Sequence, residues 1–216
     1  MKFKEIEFIG SYKSLDKMPA DNLPEVAFIG RSNVGKSSII NNVLNAKVAK
    51  TSSTPGKTQL INFFKINKKF YIVDLPGYGY AQVAIAIKKE WEKFIETYLR
   101  ERSSLKIIVL LLDIRREPNA HDRMLSEWIK SLPTISPIIV LTKSDKVSRN
   151  DIFKNKVRIA KDLYISQHDI LIHSSLSGDG RFDLIKKINS LLEPREMPAI
   201  EEGESDETND SDEALL

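Results

Sequence analysis

A chain of 216 residues, 41% hydrophobic and 29% charged, is long enough for one domain with a buried core and too apolar for wholesale disorder. It contains no cysteine, which excludes disulfides and thiolate metal sites, and its longest purely apolar run, residues 107–112, is far short of a bilayer span. The formal charge of +3 is uneven: residues 201–216 carry eight acids and no base, so the preceding body stands at +11. That surplus suits a polyanion such as RNA, or a scattered lysine surface that keeps the protein in solution.

In chain order, the first twenty residues, within an expected extension over 1–23, interleave Lys2, Lys4, Glu5 and Glu7 with single apolar residues. They lack the continuous apolar core of a secretory signal, so they read as an N-terminal extension of a cytoplasmic protein. EVAFIG (25–30) is an apolar run entering a glycine-rich turn, and the helical spacing of SSIINNVLN (37–45) follows it. INFFKI (61–66) and KFYIVDL (69–75) are aromatic and β-branched, and Asn67 and Lys68 between them predict a hairpin. Trp91, Phe94, Ile95, Tyr98 and Leu99 then fall on one stripe of a helix, a core-facing pattern rather than a stacking platform.

KIIVLLLD (106–113) is apolar without alternation, as a central parallel strand covered on both faces would be. A helix over 120–131, a strand at 137–142, a helix over 151–164, a strand at 169–174 and a helix over 181–192 complete the alternation. The expected fold is therefore α/β: a three-layer, mostly parallel, doubly wound sheet with one antiparallel strand, spanning 24–195. Residues 196–216 are too polar to order themselves and read as a disordered acidic tail.

In such sheets ligands bind beyond the carboxyl ends of the strands. GRSNVGKS, comprising Gly30, Arg31, Ser32, Asn33, Val34, Gly35, Lys36 and Ser37, lies between a predicted strand and a predicted helix and fits the phosphate-binding loop pattern. Its backbone N–H groups can curl around phosphate oxygens, Lys36 brings a charge to the β and γ phosphates, and the Ser37 hydroxyl can ligate Mg²⁺. The base is still open at this point. LTKSD (141–145) favours guanine, because a carboxylate at Asp145 can accept from both the ring N–H and the exocyclic amine, whereas adenine presents no such pair. The Lys143 stem can lie over the purine and Thr142 can tie this turn to the phosphate loop, while backbone N–H groups of 173–175 can meet the guanine oxygen.

DLPG (74–77) places Asp74 where it can hold Mg²⁺ through water and Gly77 where its N–H can meet a γ-phosphate. Within the polar stretch 51–64, Thr58 is the residue expected to join the metal only when the triphosphate is present, with Thr54 as competitor. The histidines His121, His168 and His173 have no ligand spacing and read as structural or surface residues.

With these elements in order, the sequence resembles the EngB-type family of P-loop GTPases, also called YsxC or YihA. TPGKTQLINFF (54–64) and DLPGYGYA (74–81) are its specific stretches. The resemblance implies bacterial GTP-binding proteins that assist assembly of the large ribosomal subunit and are needed for normal cell division and septation. It also implies binding of GTP or GDP with Mg²⁺ at Ser37 and Thr58. Nucleotide contacts would run across the phosphate loop, then Gly56, Lys57, Thr58, Gln59 and Leu60, then Asp74, Leu75, Pro76 and Gly77. Thr142, Lys143, Ser144 and Asp145, with His173, Ser174 and Ser175, would surround the base. His173 stands where the family leads one to expect Phe.

Lys36, Thr58 and Gly77 are the groups expected at the transferring phosphate. Tyr78 stands where many such proteins carry a water-orienting glutamine, and a phenol cannot do that work, so slow hydrolysis is expected of the isolated protein. Asn33 offers a route to K⁺ beside the phosphates; Arg31 could act in cis, or simply flank the loop. A monomer that binds a precursor of the large subunit, through rRNA and ribosomal proteins, is the expected working form. The rivals are a regulatory GTPase acting through division-site proteins and a guanine-nucleotide module without meaningful turnover.

Overall fold

A computed structural model describes residues 3–49, 60–79 and 85–193, with side chains except over 85–92. Seven strands form one sheet in the order β1-β3-β4-β2-β5-β6-β7. They are β1 (Ile6–Tyr12), β2 (Glu25–Gly30), β3 (Ile61–Ile66), β4 (Phe70–Asp74), β5 (Leu105–Asp113), β6 (Ser136–Thr142) and β7 (Ile170–Ile172). β3 pairs antiparallel with both β1 and β4, and the remaining pairings are parallel, so β3 alone runs against the others. The helices are α1 (Lys36–Leu44), α2 (Ile85–Glu101), α3 (Ala120–Ser131), α4 (Arg149–Asp162) and α5 (Arg181–Leu192).

The alternation of strand side chains divides the core into two layers. From β5, Ile108, Leu110 and Leu112 pack with Ile95, Tyr98 and Leu99 of α2, Ile129 of α3 and Ile159 and Ala160 of α4. Ile107, Val109 and Leu111 face the other way, onto Ile39, Ile40 and Val43 of α1 and Leu184 and Ile188 of α5. Residues 107–112 are all buried, which is why their sequence carries no polar alternation. The Trp91 side chain lies outside the described residues.

The segment before Pro24 is joined to the sheet. β1 mixes half-buried and exposed positions with none fully buried, as an edge strand does, and its register shifts between Phe8 and Gly10. The Asn67 side chain accepts from the backbone N–H of Lys4 (2.9 Å) and Glu5 (3.0 Å), so the hairpin turn fastens the start of β1. Asn67 and Lys68 both have positive φ (51° and 55°), as a tight turn between twisted strands requires.

At the amino end of the sheet, Glu25 is fully buried. It accepts from the Tyr98 hydroxyl (2.7 Å) and from Arg102 Nε (2.7 Å), and Arg102 also donates to the Pro19 carbonyl. Burial pushes the Glu25 carboxyl up from its ordinary range, and the bonds from Arg102 and Tyr98 only partly oppose it. This network closes the end of β2 opposite the glycine-rich turn.

Candidate nucleotide site

β2 delivers Gly30 into a loop that turns through left-handed backbone at Asn33 (φ 61°) and Gly35 (φ 103°) before α1 begins at Lys36. Such a turn aims successive N–H groups into one concavity, at the positive end of α1. Lys36 Nζ donates to Asp74 Oδ1, from the end of β4. The charges expected on phosphate and metal are thus within reach of each other. Ser37 and Asp74 offer hard oxygen donors, which fit Mg²⁺, a cation that takes few protein ligands beside phosphate. Among the described residues no cluster of three or more His, Asp or Glu forms a separate metal site.

The chain after β4 lies directly on the phosphate loop. Leu75 N–H donates to Phe28 O (3.1 Å), Tyr78 N–H to Gly30 O (3.2 Å), and Ser32 N–H to Tyr78 O (2.9 Å). At Gly77 an added Cβ would sit 3.1 Å from Ser32 N, so this approach leaves little room for a side chain. Pro76 is buried beside it. The Tyr78 side chain packs into the core layer that includes Ile29, Ile95 and Ile129: it is 8% exposed and its hydroxyl donates to Asp122 Oδ1 of α3 at 2.7 Å. Burial and the Asp122 carboxylate drive its ionisation far above the ordinary phenol range. Asp122 is itself in the capping box of α3, accepting from Asn119 N–H while its own N–H donates to Asn119 Oδ1.

On the base side, Thr142 Oγ1 donates to Val34 O (2.7 Å), fastening the end of β6 to the phosphate loop. Lys143 adopts left-handed backbone (φ 61°) and its Nζ donates to Asn33 O (2.6 Å). That ammonium also pairs with Asp113 Oδ2 (3.0 Å), and Arg115 holds the same carboxylate through Nε (2.9 Å) and Nη2 (2.7 Å). Burial opposes ionisation of Asp113, but these cations outweigh it and keep the carboxyl well below its usual range.

Ser174 Oγ donates to Asp145 Oδ1 (2.7 Å), which lowers the Asp145 carboxyl and keeps it charged. Ser144 N–H donates to His173 O (3.3 Å), joining the two base-side turns. The backbone N–H groups of His173 and Ser174 are taken by Leu141 O (2.8 Å) and Asp179 O (3.1 Å). Ser175, in contrast, lines an open cleft of about 970 Å³ together with Val34, Gly35, Asn42, Lys143 and Asp145. The His173 side chain faces inward: it is fully buried, its Nε2 meets Asn42 Oδ1 (3.1 Å), and its Nδ1 has no hydrogen-bond partner among the described residues. Burial lowers its pKa to about 4. Behind the turn, Gly180 opens α5 at φ 74°, where an added Cβ would lie 1.8 Å from the Ile172 carbonyl oxygen.

The fold therefore brings the phosphate loop, residues 74–77 and residues 142–145 and 173–175 to one end of the sheet, with half-buried Leu60 just before β3. Gly56, Lys57, Thr58 and Gln59, with Thr54, lie outside the described residues. Sequence reasoning missed Asp113, Arg115 and Asp122. Asp113 ends a strand on the carboxyl side, which was the available signal; nothing local marks Asp122 as a partner of Tyr78.

Comparison with known proteins adds to this geometry. A family model described as 50S ribosome-binding GTPase matches residues 25–143. The chain is 50% identical over 190 residues to a probable GTP-binding protein EngB of Clostridium beijerinckii, covering 87% of this chain and 96% of that one. It is 46% identical over 205 residues to the protein of the same description from Geobacter sp. (strain M21), covering 94% and 95%. Among solved structures, a crystal structure of a probable GTP-binding protein engB superposes with a TM-score of 0.65 at 22% identity, over 78% of this chain and 98% of that one. Era in complex with MgGDPNP and a 16S ribosomal RNA fragment gives 0.62 at 22%, over 81% and 58%. Both likenesses bear on the fold.

Proposed function

Since the chain belongs to the EngB family of GTP-binding proteins, a family of GTPases, we propose that it is a guanine-nucleotide switch acting on precursors of the large ribosomal subunit. The observation that carries the nucleotide reading is the pairing of Asp145 with Ser174 at the mouth of a cleft whose opposite wall is the phosphate loop. In this reading Asp145 accepts from the guanine N–H and amine, and Ser175 N–H meets its oxygen. The stem of Lys143 covers the ring. Lys36 leaves Asp74 for the phosphates; Ser37 and, in the triphosphate form, Thr58 would hold Mg²⁺, which would supply charge neutralisation at the transferring phosphate. Gly77 offers its N–H to the γ-phosphate.

Hydrolysis is slow in the isolated protein. The support is Tyr78, whose hydroxyl is committed to Asp122. Asn33, exposed on the loop, is the residue through which K⁺ would supply the missing charge; equal turnover in K⁺ and Na⁺ buffers would remove that element. The basic body and the description of the matching family model favour a cytoplasmic monomer that meets large-subunit particles, with a role in division and septation following from ribosome supply. Residues 24–195 would form the working domain.

Gradient sedimentation with precursor particles tests this reading. Co-migration in a non-hydrolysable GTP analogue but not in GDP, weakened by salt, is the expected result. Equal migration in both nucleotides would remove the switch. The buried Tyr78 also favours a second reading, a nucleotide-binding module without meaningful turnover. Phosphate release accelerated by particles would reject it.

A further inference from the structure

α4 carries exposed apolar side chains on its outer side, as α3 does at Met124 and α5 at Phe182, but here they come with a third just past the helix end. Its inner side buries Ile159 and Ala160. Outward it shows Phe153, 64% exposed, and Val157, 40% exposed; just past its end Tyr164 is 82% exposed. Phe153, Val157 and Lys161 are spaced i, i+4 and i+8, one stripe of about 12 Å along the axis, and Tyr164 follows just past the end of the helix. Arg149 and Lys154 are exposed on the two flanks of that stripe and Lys161 at its end. The acids of the helix do not interrupt it: Asp151 is bonded back to Ser148 at the N-cap, and Asp162 is half-buried.

Tyr164 adds a second observation. It follows the C-cap Leu163 at φ 51°, in a turn where Ile165 N–H donates to Ala160 O (3.1 Å) and Tyr164 N–H to Lys161 O (3.2 Å). That is the position where glycine normally ends a helix, because a side chain there strains the backbone. A large ring is held in a strained conformation and turned to solvent, so it serves neither the helix end nor the core.

Resting on the ribosomal reading above, we propose that the outer face of α4 is an RNA-binding surface, on which unpaired bases stack against Phe153 and Tyr164 while Arg149, Lys154 and Lys161 contact the flanking phosphates. Aromatic rings alternating with cations match the two faces of single-stranded RNA, π-surface and phosphate. A protein partner fits less well, since protein interfaces are depleted in lysine.

The test compares wild type with Phe153→Ala/Tyr164→Gly and with Lys154→Ala/Lys161→Ala. Three quantities are read: thermal unfolding, binding of a fluorescent single-stranded oligouridine, and co-sedimentation with large-subunit precursor particles in a GTP analogue. The aromatic variant is expected to lose about tenfold or more in oligonucleotide affinity and to lose particle binding. Its melting temperature should hold, since glycine relieves the backbone at 164. The lysine variant is expected to flatten the salt dependence by about 1.4 in the log–log slope. Oligonucleotide and particle binding at wild-type levels in the aromatic variant overturns the surface while leaving the ribosomal reading intact. Wild type that fails to meet particles overturns the ribosomal reading, and the oligonucleotide arm then decides the surface alone. Loss of particle binding by a variant whose parent ignores oligouridine and cross-links through α4 to a ribosomal protein overturns RNA as the partner. A marked fall in melting temperature for both Tyr164→Gly and Tyr164→Phe, each made singly, would assign Tyr164 to folding and overturn its part.

Discussion

The two ends of the sheet handle charge in opposite ways. At the amino end, Glu25 is buried with its oxygens bonded to Tyr98 and Arg102, and Arg102 also donates to a backbone carbonyl; each group there has a fixed partner inside the protein. At the carboxyl end, Lys36 with Asp74, Lys143 with Asp113 and Ser174 with Asp145 are paired on the loops that follow the strands, where the backbone turns left-handed at Asn33, Gly35 and Lys143. The first arrangement can only hold the fold together. The second consists of groups that can exchange one partner for another, which is what recognition of a polyphosphate and a purine requires.

This contrast breaks most sharply at Arg102. Arg102→Ala leaves Glu25 buried without a counter-charge, held by the Tyr98 hydroxyl alone, and is expected to cost about 3–5 kcal/mol in urea unfolding while GDP affinity holds. An equal loss of affinity would show that the two ends are not separable. Asp145→Asn is the reverse case: GDP affinity should fall by about a hundredfold or more, from losing charged acceptors for two donors, with little change in stability. Preference for guanosine over adenosine diphosphate retained in this variant would undo the base assignment.

His173 sharpens the comparison, because it is a structural residue within the recognition end. Its pKa falls from 6.5 to about 4 on folding, so the folded chain binds fewer protons across that window. Its stabilising contribution is present above about pH 6.5 and lost as pH falls toward 4, to the extent of about 2–3 kcal/mol. Glu25, raised by burial, acts with the opposite sign: its stability is present at low pH and declines as pH rises above the ordinary glutamate range. His173→Phe should therefore remove the histidine part of the acid loss in pH-dependent denaturation while leaving GDP binding at neutral pH in place. The smallest effect is expected at Asp113→Asn. It should speed GDP release several-fold, about 1 kcal/mol, and do so only when Lys143 is present, so that a double-mutant cycle with Lys143→Ala shows coupling.

Much of the fold was legible because the sequence signals were local. The bounds of α3 and α5 follow directly from periodicity, and the uninterrupted apolar run of 107–112 places β5 at mid-sheet. β1 was hidden because an edge strand buries only part of one face, and its alternation is mixed with charge and shifted at Phe8 and Gly10. The phosphate loop and the 142–145 turn were legible because spacing and flanking elements together restrict what they can be. Asp113 and Asp122 were not, since their partners Lys143 and Tyr78 lie 30 and 44 positions away and only the fold brings them within bonding distance. Tyr78 was noticed for the glutamine it replaces; its commitment to α3 is a tertiary fact.

Gly180 has a consequence for mutagenesis of this molecule. With an added carbon only 1.8 Å from the Ile172 carbonyl oxygen, any replacement has to displace either the start of α5 or the end of β7. The turn bearing Ser174 and Ser175 lies between them and would shift with either. A saturation library sorted for nucleotide retention would thus rank position 180 among the direct contacts, although what it touches is backbone. Apparent intolerance there would measure the shape of the turn, and a chemical screen of contacts should be read with that position set apart.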